Sequence, residues 1–226
     1  MLHPKKVGTL PVEGADEGKQ TNEITMAAPL LDAIEIHGKT ITADALLTQR
    51  AFATYLVDDR QAHYHFTVKG NQPHLRQDLV RYFEARHAPA FVEATALGHG
   101  RIETRKIWTT SALNAYLEFP HVGQAFVIER ERIEKTTGAR SLELAYGITS
   151  CTPDQATPQQ VLTTNRGHWS IEKSCHYILD WNFDEDRSRI RTKHGPENVS
   201  RLRRFVVGLI KAKGVSNVAQ KMRHLH

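Results

Sequence analysis

The chain has 226 residues, 40% of them hydrophobic, which is enough to bury a real core and excludes a disordered chain. No run of about 18 apolar residues occurs, so no membrane-spanning helix is expected, and the N-terminus lacks the apolar stretch of a signal peptide. The net charge is +5, but residues 165–226 hold 13 Lys/Arg against 6 Asp/Glu, a balance of +7, while the rest holds 17 against 19, a balance of −2. A C-terminal basic excess of this kind suits either a polyanion partner or a solvated basic helix face.

In chain order, TITAD (40–44) predicts a short buried strand ending on an acid, and residues 48–59 carry apolar side chains at helical spacing. HYHFTVK (63–69) alternates and is rich in strand formers, and Gly70, Asn71 and Gln72 form a turn. Pro73 then opens a helix to about Arg86. Strand–helix–strand–helix is the signature of an α/β layer with parallel strands. Residues 102–109, 124–130 and 142–149 predict three strands without clear helices between them, an antiparallel, β-rich insertion. Helical pattern returns from about 158 to 181, and a last helix is expected near 196–213. The expected organisation is a partial core over 1–90, the β-rich insertion over 91–150, and a helical part with a basic tail over 151–226. The two cysteines, Cys151 and Cys175, have no zinc-type spacing and read as free thiols in a cytoplasmic protein.

Asp44 falls where open parallel sheets place ligand-binding groups, at the C-terminal end of a strand. Glu172 lies on the later helix. A strand-end carboxylate and a helix carboxylate can share a divalent metal, and magnesium takes few protein oxygens and keeps room for water and phosphate. Two such ions about 4 Å apart support phosphodiester cleavage. The bland alternatives are a turn cap for Asp44 and a salt bridge for Glu172, with Lys173 or a nearby arginine as partner. His168, Glu172 and His176 fall at i, i+4 and i+8, so a zinc site on one helix face is a further alternative.

Five segments occur in one order: NEITMAAPLLDAIEIHGKTITADALLTQR, HYHFTVKGNQP, HGRIETR, YGITS and RGHWSIEKSCHYILDWNFDEDRSRIR. Together they resemble the bacterial insertion-sequence transposases of the DDE class, in the H-repeat-associated group, over residues 22–213. The resemblance implies an α/β, ribonuclease-H-like catalytic core, incomplete at its N-terminus, with the β-rich insertion before the last catalytic helix. It implies that Asp44 and Glu172 are the second and third acids of a triad that holds two magnesium (or manganese) ions. Lys69, Asn71, Gln72, His168, Trp169, Lys173, Arg187 and Arg191 are then expected near DNA, where Lys and polar groups hold phosphates and fix register. The partners would be DNA, as element ends and target, and further copies of the chain, with no membrane.

Departures from the family pattern carry their own expectations. The first acid belongs to an Asp-Gly-Lys strand, and no Asp-Gly-Lys precedes Asp44. Lys173 and Cys175-His176-Tyr177 stand where the group has Asn and Leu-His-Trp. The expectation is a transposase fragment lacking its first catalytic strand, with little strand transfer on its own and an exposed edge on the central sheet. The alternative is a non-catalytic DNA-binding fragment that competes with full-length copies.

Overall fold

A computed structural model describes residues 15–98, 100–169, 178–179 and 187–215. The elements are α1 (Ala15–Asp32), β1 (Thr40–Ala43), α2 (Arg50–Thr54), β2 (His63–Val68), α3 (Pro73–Glu84), β3 (Phe91–Val92), β4 (Ala96–Gly98), β5 (Arg101–Thr110), β6 (Gln124–Glu134), β7 (Arg140–Thr149), α4 (Pro158–His168) and α5 (Gly195–Ala212). The fold is mixed α/β. The chain divides into two compact units, residues 1–162 and 163–226.

The first unit is built on one seven-stranded sheet of order β1-β2-β7-β6-β5-β3, with β4 also paired to β5. β1 and β2 run parallel, Thr40 beside His63 and Ala43 beside Phe66. The remaining pairs are antiparallel. The three middle strands are antiparallel, as expected, and they continue the same sheet as β1 and β2. β1 forms one edge of that sheet.

Alternation sorts the sheet into two faces. Tyr64, Phe66 and Val68 of β2 join Ala125 and Val127 of β6 in the main core, which α2, the π-turn after it and α3 cover with Phe52, Leu56, Leu75, Leu79 and Phe83. The opposite face holds Ile107, Phe126 and Ile128, packed against Val161 and Leu162 of α4. His65 is also buried there and stacks on Phe126 with ring centroids 4.7 Å apart. Gly147 is what lets the Phe126 ring lie flat on β7: an added Cβ would come 2.2 Å from Phe126 Cζ and 2.6 Å from the Phe66 carbonyl oxygen. Gln124, 1% exposed, donates through Nε2 to the carbonyls of Cys151 (3.1 Å) and Ala156 (2.9 Å), and so pins the approach to α4.

The expected helix over 48–59 is two pieces. α2 ends at Thr54, and Tyr55–Asp59 continues as a π-turn closed by Arg60 N–H on the Tyr55 carbonyl. The side chains nearby explain the wider turn. Tyr55 Oη donates to Asp32 Oδ1 (2.6 Å), and Arg60 reaches the Leu31 and Ile34 carbonyls (2.8 and 2.7 Å). Burial, first, then that carboxylate, pushes the Tyr55 hydroxyl above its ordinary value. In the second unit, Val207 and Ile210 of α5 pack on Ile178 and Leu179. Among the described residues no helix is long and apolar enough to cross a membrane.

Candidate active site

Because β1 and β2 are parallel, the segments that leave them lie at the same end of the sheet. One carries Asp44 and the other carries Lys69, Asn71 and Gln72, so the structure brings these four sequence-selected residues together. Asp44 is exposed, with extended backbone (φ −73°, ψ 178°), and its Oδ1 accepts from Leu46 N at 2.9 Å. It therefore caps the single 3-10 turn Ala45–Leu47, which is the cap predicted as the bland alternative. The cap uses one carboxylate oxygen. Among the described residues no hydrogen bond engages Oδ2. An exposed hard oxygen at a strand end fits a magnesium or manganese ligand, so the cap and the metal role are compatible.

Asn71 Nδ2 donates to the Ala45 carbonyl, and Gln72 Nε2 donates to the Thr48 carbonyl at 2.8 Å. Thr48, fully buried, donates through Oγ1 to the Thr67 carbonyl at 2.8 Å. Thr48 did not stand out in the sequence. Its signal was a hydroxyl four residues after a strand-end acid, at the spacing where one turn returns on itself.

Lys69 is exposed on the same face of the sheet as Glu143, Arg130 and Arg132. Glu143 is hydrogen-bonded by Arg130 Nη2. That bond, first, and then the charges of Arg130, Arg132 and Lys69 hold the Glu143 carboxyl below the usual glutamate range, against partial burial. Sequence reasoning missed Arg130 and Arg132. Their signal was basic residues at alternate positions in the E-R-E-R run, which put two cations on one face of β6. The other face of this run holds Glu129, which accepts from Lys106 Nζ (2.9 Å) and Arg86 Nη2 (3.1 Å). Burial pushes Glu129 up, and the two cations outweigh it and leave the carboxyl low.

His168, Trp169, Arg187 and Arg191 belong to the second unit. His168 closes α4, and its ring meets the Trp169 ring edge-on at 5.5 Å. Trp169 is 44% exposed, a large ring on the surface of that unit. Arg187 and Arg191 are exposed, and Arg191 Nη1 donates to the Ile190 carbonyl at 3.0 Å. Glu172 and Lys173, and with them His176 of the zinc alternative, lie outside the described residues. Among the described residues no three His, Cys, Asp or Glu side chains gather as a metal-holding group.

Residues 10–202 match the protein family described as Transposase DDE domain. The chain belongs to this family. Among relatives of the DDE domain chain, a protein of Escherichia coli O157:H7 named "Putative transposase YncI" is 27% identical over 85% of this chain and 50% of its own. In strain K12, "H repeat-associated putative transposase YhhI" is 26% identical over 85% of this chain and 52% of its own. An uncharacterized protein in the dhlA 3' region of Xanthobacter autotrophicus reaches 32% over 60% of this chain and 47% of its own. The DDE domain chain thus spans about half the length of the curated relatives it matches. A piggyBac transposase in a synaptic complex with hairpin DNA overlaps 70% of this chain and 27% of that one, at 12% identity and TM-score 0.36.

Proposed function

We propose that this DDE domain chain supplies the metal-holding and DNA-contacting parts of a transposase that cleaves and joins DNA strands. The observation that carries the reading is Asp44. It is an exposed carboxylate with one oxygen fixed in a cap and the other unengaged among the described residues, at the C-terminal end of a parallel strand pair. The parallel β1–β2 pair, followed by antiparallel strands and then helices, supports a ribonuclease-H-like core. In this reading Asp44 and Glu172 each give a carboxylate oxygen to magnesium or manganese. Bound there, the ions supply nucleophile activation and charge stabilisation for in-line displacement at phosphorus.

The rest is positioning by the chain's own groups. The Asp44 cap holds the carboxylate in one rotamer, so its unengaged oxygen needs little reordering to bind. The Lys69 ammonium, on the same sheet end, holds a DNA phosphate near that carboxylate. In the second unit, His168, Lys173, Arg187 and Arg191 hold backbone phosphates, and the exposed Trp169 ring offers a stacking surface to a base. The family's first acid, in Asp-Gly-Lys, is not in this sequence before Asp44. Further copies of the chain are the proposed partners in assembly.

Titration of the full chain with Mn2+, read by electron paramagnetic resonance, tests this. Binding is expected in the wild type and lost in Glu172→Ala, and unchanged binding in that variant overturns the proposal. A second reading, a DNA-binding fragment without catalysis, rests on the exposed Arg187, Arg189, Arg191 and Lys193 of the second unit. It predicts duplex binding that is indifferent to Mn2+ and to Glu172.

A further inference from the structure

Asn71 and Gln72 were expected beside DNA. Yet each sends a side-chain amide into protein: Asn71 Nδ2 to the Ala45 carbonyl, and Gln72 Nε2 to the Thr48 carbonyl at 2.8 Å. Both acceptors belong to the five-residue turn that Asp44 opens. The same turn is tied a third time, by Thr48 Oγ1 on the Thr67 carbonyl of β2.

The anchors themselves are stiff. Gln72 N–H closes a turn on the Lys69 carbonyl (3.1 Å), and the Gln72 carbonyl accepts from Arg76 N at 2.9 Å, inside the first turn of α3. α3 in turn buries Leu75, Leu79 and Phe83. The Asp44 turn therefore rests, through two amides, on the segment that leads into a core helix, with Gln72 at that helix's N-cap. By itself the turn is a single 3-10 turn closed by Thr48 N on the Ala45 carbonyl (3.1 Å), with Thr48 Oγ1 also reaching the Asp44 carbonyl (3.4 Å) and Gln49 Nε2 the Leu46 carbonyl (3.0 Å). So short a segment does not hold its shape alone, because fixing each residue costs about 1–2 kcal/mol of backbone entropy.

We infer that Asn71 and Gln72 are positioning residues for the Asp44 carboxylate: their amides clamp the Ala45 and Thr48 carbonyls and so fix the turn whose cap orients Asp44. The inference rests on the metal role proposed for Asp44. It assigns the pair a different task from a phosphate contact, because the amide nitrogens are directed at main-chain oxygens twenty-odd residues earlier in the chain. Losing the Gln72 amide takes its donor from the Thr48 carbonyl, losing the Asn71 amide takes one of two donors from the Ala45 carbonyl, and either loosens the turn while the Asp44 side chain itself is untouched.

The test uses the full-length 15N-labelled chain, with Asn71→Leu and Gln72→Met made separately, since each keeps size and removes the donor. Two readouts are taken from each variant. Hydrogen exchange at Leu46, whose amide feeds the Asp44 cap, is expected to quicken about tenfold, the factor for one lost hydrogen bond. Amides of the β5–β6–β7 sheet are expected to keep wild-type exchange and so report an intact fold. Broadening of the Asp44 and Leu46 signals by Mn2+ is expected in the wild type, gone in Asp44→Asn, and to require several-fold more Mn2+ in the two variants. Leu46 exchange and Mn2+ broadening unchanged in both variants overturn the positioning role and leave the metal role standing. No broadening at Asp44 in the wild type overturns the metal role, and the positioning role falls with it.

Discussion

Gly147→Ala places a methyl group where the structure has no room. The new Cβ would stand 2.2 and 2.6 Å from two carbons of the Phe126 ring and 2.6 Å from the Phe66 carbonyl oxygen, whereas ordinary contact begins near 3.4 Å. The ring would have to retreat by more than 1 Å. It is held by the His65 stack and by Ile107, Ile128, Val161 and Leu162. The Phe66 oxygen is main chain in the neighbouring strand and retreats only if β2 shifts against β7. Overpacking of a close-packed core costs about 1–3 kcal/mol, and the main-chain clash puts this site at the upper end. Alanine returns about 0.5 kcal/mol through a less flexible unfolded chain. The net expectation is a loss of about 2–3 kcal/mol, or about 5–10 °C in Tm for a chain of this size. Urea denaturation followed by circular dichroism measures it. Phe126→Leu in the same chain should recover part of the Gly147→Ala loss, so the pair should be non-additive by about 1 kcal/mol. A Gly147→Ala protein within about 0.5 kcal/mol of wild type, or strict additivity with Phe126→Leu, would refute the packing argument.

Three further outcomes follow from the same geometry. Gln124→Leu strips a buried carbonyl, Cys151, and a half-buried one, Ala156, of a donor and should cost about 2–4 kcal/mol in a urea melt. Glu129→Gln should cost about 1–2 kcal/mol at neutral pH. The Glu129 carboxyl is lowered on folding, so this contribution is present above its ordinary value of 4.5 and disappears as the pH falls through the lower folded value. Wild type and Glu129→Gln should therefore converge in acid, and a gap constant from pH 7 to pH 3 would contradict the pairing. Replacing Arg187 and Arg191 together by Ala should flatten the dependence of log Kd on log salt by about two phosphate contacts in a duplex-binding titration.

Much of the sheet was legible in the sequence. β2 alternates, and the observed limits of β2, β5 and β7 extend or trim the expected ones by one or two residues. Pro73 opens α3 as its fixed φ suggests. β6 runs on to Glu134 because its charged end is paired across the sheet, Arg130 with Glu143 and Glu131 with Arg140. The expected strand stops at Arg130, inside this charged run. α1 gave no periodic stripe to read and holds Pro29 in its interior. The strands β3 and β4 are too short, at two and three residues, to show any period, and exist through their pairing with β5. Asp44 was legible as a strand-end acid. What holds it was not, because the Asn71 and Gln72 amides find their carbonyls across the chain, and nothing in a linear spacing announces that.

The proposed function assigns metal binding to both Asp44 and Glu172. A double-mutant cycle on Mn2+ affinity tests it most directly, with Asp44→Asn, Glu172→Gln and the double variant compared with the full wild-type chain. The account predicts that either single change removes most of the binding and the second adds little, so that the two effects are strongly non-additive. Independent, additive losses, or Mn2+ binding that survives in the double variant, would contradict it.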